Sequence, residues 1–419
     1  MTIQEFSGYA GAFCFGYPFV MAWYWMIGGV LYHWMRERRE PRYDQPPKLE
    51  AYPPVSILLP CHNEEANAAE TISVLAALDY PDYEIIAIDD GSTDRTGAIL
   101  DELARHVPQL RVVHLAQNQG KSTALNIGAL AARSQILVGT DGDALLDRHS
   151  LTWFVRRLQS DPGLGGVTGN PRIRNRASLL GRLQVGEFSA IVGLIKRAQT
   201  VYGCLFTVSG VMCAFRKRAL QDAGWWSPAT ITDDVDVSWR VQLAGWRLAY
   251  EPKALCWILM PETLKGLWRQ RLRWSSGGTS TVLSSIGPLL SRRRWAMLII
   301  WLNYAASILW AYLIVGGALV WLGHVILVML TDRSWSAFTI LPATGGPILA
   351  VTYLIQATVS VMIDARFEAG IRRSLFWVVW FPVAYWIIQA ATAVVGLPRA
   401  IFRQRGARGV WTSPDRGFR

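Results

Sequence analysis

No lysine, arginine, aspartate or glutamate interrupts the run from Gly8 to Trp34. A bilayer core needs about 20 apolar residues, so this run is long enough to span with some tilt. A cleavable leader is disfavoured, because no basic stretch precedes the run, the run is too long, and Arg36, Arg38, Arg39 and Arg42 follow it. Cysteine is sparse: Cys14, Cys61, Cys204, Cys213 and Cys256 are scattered and odd in number, with neither metal-ligand nor disulfide-framework spacing, which fits reduced thiols facing a cytosol. No G-x-G-x-x-G follows the first strand-like segment, which argues against a dinucleotide oxidoreductase, and Lys121 opens a helix without the G-x-x-x-x-G loop of a Walker A lysine. Internal repeats and low-complexity tracts are absent.

What is present points to lipid. Of 419 residues, 51% are hydrophobic and 20 are tryptophan, more than a water-soluble core requires. The net charge of +11 does not indicate nucleic acid, because the basic residues cluster beside apolar segments, as the positive-inside bias predicts. The same bias puts the N-terminus outside and the following chain in the cytoplasm. Residues 1–34 therefore read as a transmembrane helix and 35–54 as a basic, proline-containing linker.

From Val55 the texture becomes βαβαβαβ. Apolar runs at Val55–Leu59, Glu84–Ile88, Arg111–Leu115 and Gln135–Thr140 alternate with helical stretches near 65–77, 95–106 and 121–132. Such runs suit a parallel sheet buried on both faces, whose ligands bind at the carboxyl ends of its strands. Three polar turns fall there, at Pro60–Glu64, Asp89–Asp94 and Asp141–Asp143. Residues 55–258 read as one domain, with 150–258 its less regular acceptor half.

Residues 259–294 mix Leu267, Trp268, Leu272 and Trp274 with Lys265, Arg269, Arg271 and Arg273, as in amphipathic helices at the cytoplasmic membrane surface. Residues 295–398 hold three apolar stretches, Trp295–Leu330, Ile348–Ile363 and Leu375–Leu397. The first is too long for one ordinary span and just short of two, so three or four spans fit. The charge rule conflicts with itself here. Arg366, Arg372 and Arg373 favour an inside loop, while Arg399, Arg403, Arg405 and Arg408 favour an inside tail (399–419); an interfacial or re-entrant last segment reconciles them. Trp295 and Trp377, at segment ends, read as interfacial anchors.

Each acidic turn has a plain structural reading and a chemical one. Ser92, Thr93 or Asp94 can simply cap a helix, yet capping needs one such residue, and the pair Asp89-Asp90 at this sheet edge can accept from a uracil NH and ribose hydroxyls. Asp141-Gly142-Asp143 is either a solvated turn or a pair of carboxylates aimed past a small residue at one Mg²⁺ or Mn²⁺, completed by a nucleotide diphosphate. Thr232 can N-cap a helix carrying Asp233 and Asp234 on its first turn; one of these two acids can equally take the proton from an attacking sugar hydroxyl. Gln270 and Arg273 share a helical face and can reach a diphosphate, while Trp274 offers a ring for stacking a sugar. Asn63, Glu64 and Lys121 are secondary candidates for nucleotide contacts. His62 reads as a hydrogen-bonding turn residue.

Taken together, D-D-G-S, D-x-D, T-D-D and Q-x-x-R-W in this order resemble the processive family-2 glycosyltransferases, the inverting enzymes that include cellulose, chitin and hyaluronan synthases. Within that family Val167–Arg174, Val208–Gly210, Pro252–Thr263 and Ser413–Gly417 resemble the bacterial branch that makes poly-β-1,6-N-acetylglucosamine, and the resemblance runs from about residue 10 to the C-terminus. It implies an α/β GT-A glycosyltransferase domain with a Rossmann-like mixed sheet flanked by transmembrane helices. It further implies UDP-GlcNAc as donor, a divalent metal, a growing polysaccharide as acceptor, a multi-pass location in the bacterial inner membrane and a role in biofilm matrix. By position, Asp90 matches the uridine-binding acid, Asp141 and Asp143 the metal pair, Asp234 the general base, and Gln270, Arg273 and Trp274 the Q-x-x-R-W platform; Asp233 and Ser209 join the diphosphate and acceptor contacts. Relatives are similar to enzymes with a small membrane partner subunit and cyclic-di-GMP control. Two departures stand out: Asp233 replaces the usual glutamate, and the N-terminus shows one span where relatives often have two. The motifs fix the mechanism and not the linkage, so chitin, hyaluronan or cellulose synthesis is the rival reading. A UDP-sugar sensor in a transporter leaves the intact D-x-D, base and Q-x-x-R-W unexplained, and a non-processive transferase to a lipid phosphate gives no reason for the Q-x-x-R-W platform.

Overall fold

A computed structural model describes residues 3–292, 294–331, 345–368, 370–378, 380 and 385–403. The tail beyond residue 403, with Arg405, Arg408 and the Ser413–Gly417 stretch, lies outside them. The first helix, α1 (Ile3–Tyr32), ends in a π-helical turn at His33–Glu37. The chain then runs β1 (Val55–Cys61), α2 (Ala68–Ala76), β2 (Tyr83–Asp89), α3 (Thr96–Ala104), β3 (Leu110–His114), α4 (Lys121–Ala131), β4 (Ile136–Thr140), β5 (Leu145–Leu146) and α5 (Ser150–Gln159). After these come β6 (Leu164–Ile173), α6 (Leu179–Glu187), a π-helical turn at Phe188–Gly193, α7 (Leu194–Val201), β7 (Met212–Arg216), α8 (Lys217–Ala223), α9 (Asp233–Leu243) and β8 (Arg247–Ile258). The remaining described residues hold α10 (Leu264–Ser291), α11 (Trp295–Thr331), α12 (Gly345–Asp364), a 3₁₀ turn at Ile371–Ser374, α13 (Leu375–Val378) and α14 (Ile387–Ile401).

The eight strands form one sheet in the order β3-β2-β1-β4-β7-β6-β8-β5. The first four in that order are parallel, as the βαβ pattern predicts, and β7 enters antiparallel between β4 and β6. Every residue of β1 and β2 is buried, and alternation sorts them. Ile57, Leu59, Ile85 and Ala87 pack one face against Ile72, Leu75 and Phe154, while Leu58, Ile86 and Ile88 pack the other against Leu125, Val237 and Val241. Register aligns Cys61 with Asp89 and Leu58 with Gly139, so the turns after β1, β2 and β4 emerge along one sheet edge. Gly91 turns at φ +62°, and a Cβ there would lie 2.5 Å from the Gln117 carbonyl carbon, so this tight turn needs glycine.

Among the described residues, three helices are long and apolar enough to cross a membrane. The Trp295–Leu330 stretch is a single continuous helix, α11, of 37 residues, about 55 Å long at 1.5 Å per residue. Within Leu375–Leu397 the described α-helices are α13 and α14, the latter 15 residues long, about 22 Å and short of a 30 Å hydrocarbon core. The segment read as interfacial is one helix, α10, and its residues Gln270, Arg271, Leu272 and Ser276 are buried. Arg271 therefore departs from the surface position expected of it. Trp377 likewise is packed, under the guanidinium of Arg182, whereas Trp295 is exposed as an anchor would be.

Candidate active site

A cavity of about 500 Å³ opens at the carboxyl edge of the sheet and reaches Trp25 of α1 and Asn303 and Tyr304 of α11. Lys121, Asp141, Asp143, Ser209, Asp233 and Asp234 line it, and Gln270, Arg273 and Trp274 reach it from α10. The structure thus brings the D-x-D, T-D-D and Q-x-x-R-W motifs together with Lys121 and Ser209.

Asp141 and Asp143 follow buried β4, and the Thr71 hydroxyl donates to the Gly142 carbonyl at 2.8 Å, fixing the turn. A Cβ on Gly142 would come within 3.0 Å of Glu64 Cγ, so Glu64 backs the turn from behind. Two hard carboxylates on one cavity are the donors Mg²⁺ or Mn²⁺ takes when substrate phosphates complete its shell; among the described residues, no group of three or more histidine, cysteine, aspartate or glutamate side chains could hold a metal without them. Lys121 Nζ donates to Asp141 Oδ1 at 2.5 Å and lies 3.9 Å from Asp233. Burial opposes its charge, but Asp141 and Asp233 outweigh that and hold the ammonium well above the usual lysine range.

Asp234 sits on the first turn of α9, where Thr232 occupies the capping position with an extended backbone. The Thr232 hydroxyl caps nothing; it is buried against Gly277 of α10. Burial, then the Asp233 charge, push the Asp234 carboxyl up, while Lys121, the Val235 N–H and Arg273 pull it down. Trp274 has one ring face under the Arg271 guanidinium, 4.3 Å from the ring centroid, and Arg271 is locked by Glu187 at 2.5 Å.

Three expected nucleotide residues do not reach the cavity wall. Asp90 is fully buried and accepts from the Gln119 and Gly120 N–H groups at 2.7 and 2.8 Å, so it shapes the loop that lines the cavity. Asn63 accepts from the Thr93 N–H at 2.9 Å, stitching two turns together, and Glu64 lies behind Gly142. His62 hydrogen-bonds the Asp90 carbonyl. Lys196, by contrast, was not singled out by any motif, yet it lines the cavity and donates to Ser209 Oγ at 2.6 Å. Its only signal in the sequence is a Lys196-Arg197 pair closing the apolar stretch from Phe188.

A family model described as glycosyltransferase like family 2 matches residues 53–277. The chain belongs to this family. A poly-beta-1,6-N-acetyl-D-glucosamine synthase of Staphylococcus aureus is 37% identical over 96% of this chain and 97% of that protein, and the synthase of the same name from Staphylococcus epidermidis is 36% identical over 96% and 97%. A mannosyltransferase from Pyrobaculum calidifontis, solved with GDP-Man and Mn²⁺, covers 96% of this glycosyltransferase and 99% of its own chain at TM-score 0.61 and 20% identity. That likeness carries the fold: a GT-A domain with a mixed sheet. The family-2 enzyme described here is thus a glycosyltransferase whose long apolar helices fit a membrane-associated protein.

Proposed function

We propose that the chain is a processive, inverting N-acetylglucosaminyltransferase that extends β-1,6-linked poly-N-acetylglucosamine from UDP-GlcNAc and passes the polymer across the inner membrane into biofilm matrix. The observation that carries this reading is one cavity lined both by Asp141, Asp143 and Asp234 and by Trp25 of α1 and Asn303 and Tyr304 of α11. A near-full-length relationship to proteins named for this product supports the choice of sugar and linkage.

Asp141 and Asp143 are the residues to hold a divalent cation, which when bound supplies Lewis-acid stabilisation of the leaving UDP. Lys121, Gln270 and Arg273 present positive charge and hydrogen-bond donors to the diphosphate, and Asp90, Asn63 and Glu64 set the shape of the nucleotide end. Asp234 accepts the proton of the acceptor O6 as O6 bonds to C1; the C1–O bond to UDP breaks on the opposite face, inverting the α-linked donor to a β-linked product. Trp274 offers its free face to the acceptor ring. The catalytic domain faces the cytoplasm, where UDP-GlcNAc is made, and a small membrane partner subunit with cyclic-di-GMP control belongs to the same reading.

The test is incorporation from labelled UDP-GlcNAc into polymer by membranes carrying the chain, with digestion of the product. Polymer cut by a β-1,6-hexosaminidase and resistant to chitinase supports the proposal. Chitinase-sensitive polymer overturns the linkage.

A further inference from the structure

Lys196 differs from every other buried cation among the described residues. Arg172 lies 2.8 Å from Asp364, Arg197 2.8 Å from Glu37 and 2.9 Å from Asp364, Arg271 2.5 Å from Glu187, and Lys253 3.4 Å from Glu251. Lys196, 5% exposed, donates only to two hydroxyls, Ser209 Oγ at 2.6 Å and Thr168 Oγ1 at 3.3 Å, and no carboxylate of the described residues comes within 4 Å. Burying a charge without an ion-pair partner is costly, and folds retain such a group where it serves a ligand. Burial pushes its pKa down to about 8, against the opposing pull of Asp234.

Its surroundings say which ligand. Phe188, Val192 and Lys196 are spaced four apart through the π-helical turn and α7, so they fall on one side of the backbone, and all three line the cavity. A cationic donor therefore stands beside two apolar side chains, in reach of the acid assigned as base. That is the complement of an acetamide, whose carbonyl oxygen accepts a charge-assisted hydrogen bond and whose methyl needs an apolar surface. It also repels a protonated amine.

We propose that Lys196, with Phe188 and Val192, forms a subsite for the 2-acetamido group of the acceptor sugar and makes the enzyme discriminate N-acetylated from free-amine acceptors. The proposal rests on the polymer-synthase reading above. Ser209 and Thr168 hold the ammonium in place, and Arg197, clamped by Glu37 and Asp364, anchors the helix that presents it.

The experiment compares wild type, Lys196→Met and Ser209→Ala, as full chains in membranes, on β-1,6-linked oligosaccharide acceptors that are either fully N-acetylated or fully free-amine. UDP affinity is measured alongside, to show that each variant is folded. Wild type prefers the acetylated acceptor; Lys196→Met loses about ten- to a hundredfold of kcat/KM on it, the range expected for one charge-assisted hydrogen bond, gains on the amine, and keeps its UDP affinity. Ser209→Ala shows the same change, smaller. An acetylated-to-amine ratio unchanged in both variants overturns the proposal, as does a change confined to discrimination between UDP-GlcNAc and UDP-glucose, which would place the donor's acetamide there. Should Lys196→Met lose UDP affinity, the ratio in Ser209→Ala decides. Asp234→Asn runs in parallel: if it stays active on every acceptor, the base assignment has failed, independently of the Lys196 ratio.

Discussion

Lys121 extends its ammonium to 2.5 Å from an Asp141 carboxylate oxygen, placing a protein cation against the D-x-D pair itself. A divalent ion binding there must displace or share that charge. Without nucleotide, therefore, Mn²⁺ binds weakly to wild type, and Lys121→Met tightens it by about tenfold, on the order of 1.4 kcal/mol, while weakening UDP. Mn²⁺ titration by electron paramagnetic resonance, with and without UDP, reads both effects. Unchanged Mn²⁺ affinity in Lys121→Met contradicts the arrangement.

Asp234 has its carboxyl pKa raised by burial first and by Asp233 second. As a base it must be ionised, so activity falls on the acid side through a value raised above that of an ordinary aspartate. Asp233→Asn removes the second cause and moves the acid limb of the pH–rate profile to lower pH. A limb that stays put, or moves upward, contradicts the assignment.

The same shift has a stability consequence with a definite sign. A carboxyl whose folded pKa exceeds its unfolded value of about 3.9 contributes stability below that value, and the contribution is lost as pH rises through the folded pKa. At neutral pH the ionised Asp234 is thus a burden, and Asp234→Asn raises Tm at pH 7 with a gain that shrinks towards pH 4. Thermal unfolding in detergent at the two pH values checks it.

Gly277 of α10 faces Thr232 so closely that a Cβ would lie 2.4 Å from its hydroxyl oxygen and 2.5 Å from its methyl. Gly277→Ala forces the start of α9, with Asp233 and Asp234, away from α10, at a cost of about 1–3 kcal/mol. Activity falls, and adding Thr232→Ala, which removes both close atoms, restores part of it. No recovery in the double variant argues that the helix contact does not position the acids.

Glu37, at the end of α1, meets Arg197 at 2.8 Å, and Arg197 also meets Asp364 of α12. Removing one member of a buried pair typically costs about 3–5 kcal/mol. Arg197→Met is expected in that range, and Glu37→Gln in the same background recovers some of the loss, because Asp364 keeps Arg172 while buried Glu37 keeps only His33, at 2.9 Å. Additive effects in that double-mutant cycle would deny the coupling.

These residues also show where sequence stops being informative. The turns at Asp141–Asp143 and Thr232–Asp234 were readable because each adjoins an element with a strong periodic signature, and the sheet edge gathers such turns automatically. Asp90 was readable as important but not in its placement: nothing local says that the Gln119 and Gly120 amides, 29 and 30 residues on, take both its oxygens. Arg271 sits in a basic amphipathic pattern that suits a membrane surface, and only Glu187, 84 residues earlier, shows that it is buried. Lys196 belongs to no motif, and its meaning depends on there being, among the described residues, no carboxylate within 4 Å of it, which is a fact of three dimensions. The 37 residues of α11 run as one helix straight through Gly316-Gly317, a pair that also marks turns, so the sequence alone did not decide between one helix and two.

The most direct test of the central claim is rapid-quench transfer of N-acetylglucosamine to a defined β-1,6 oligosaccharide by wild type and Asp234→Asn, with UDP affinity measured on the same samples. If Asp234 is the base of a single displacement, Asp234→Asn slows transfer by at least about a hundredfold, within the range general-base catalysis supplies, and UDP affinity is retained. Transfer that persists in Asp234→Asn at more than about a tenth of the wild-type rate falls well short of that range and contradicts the account.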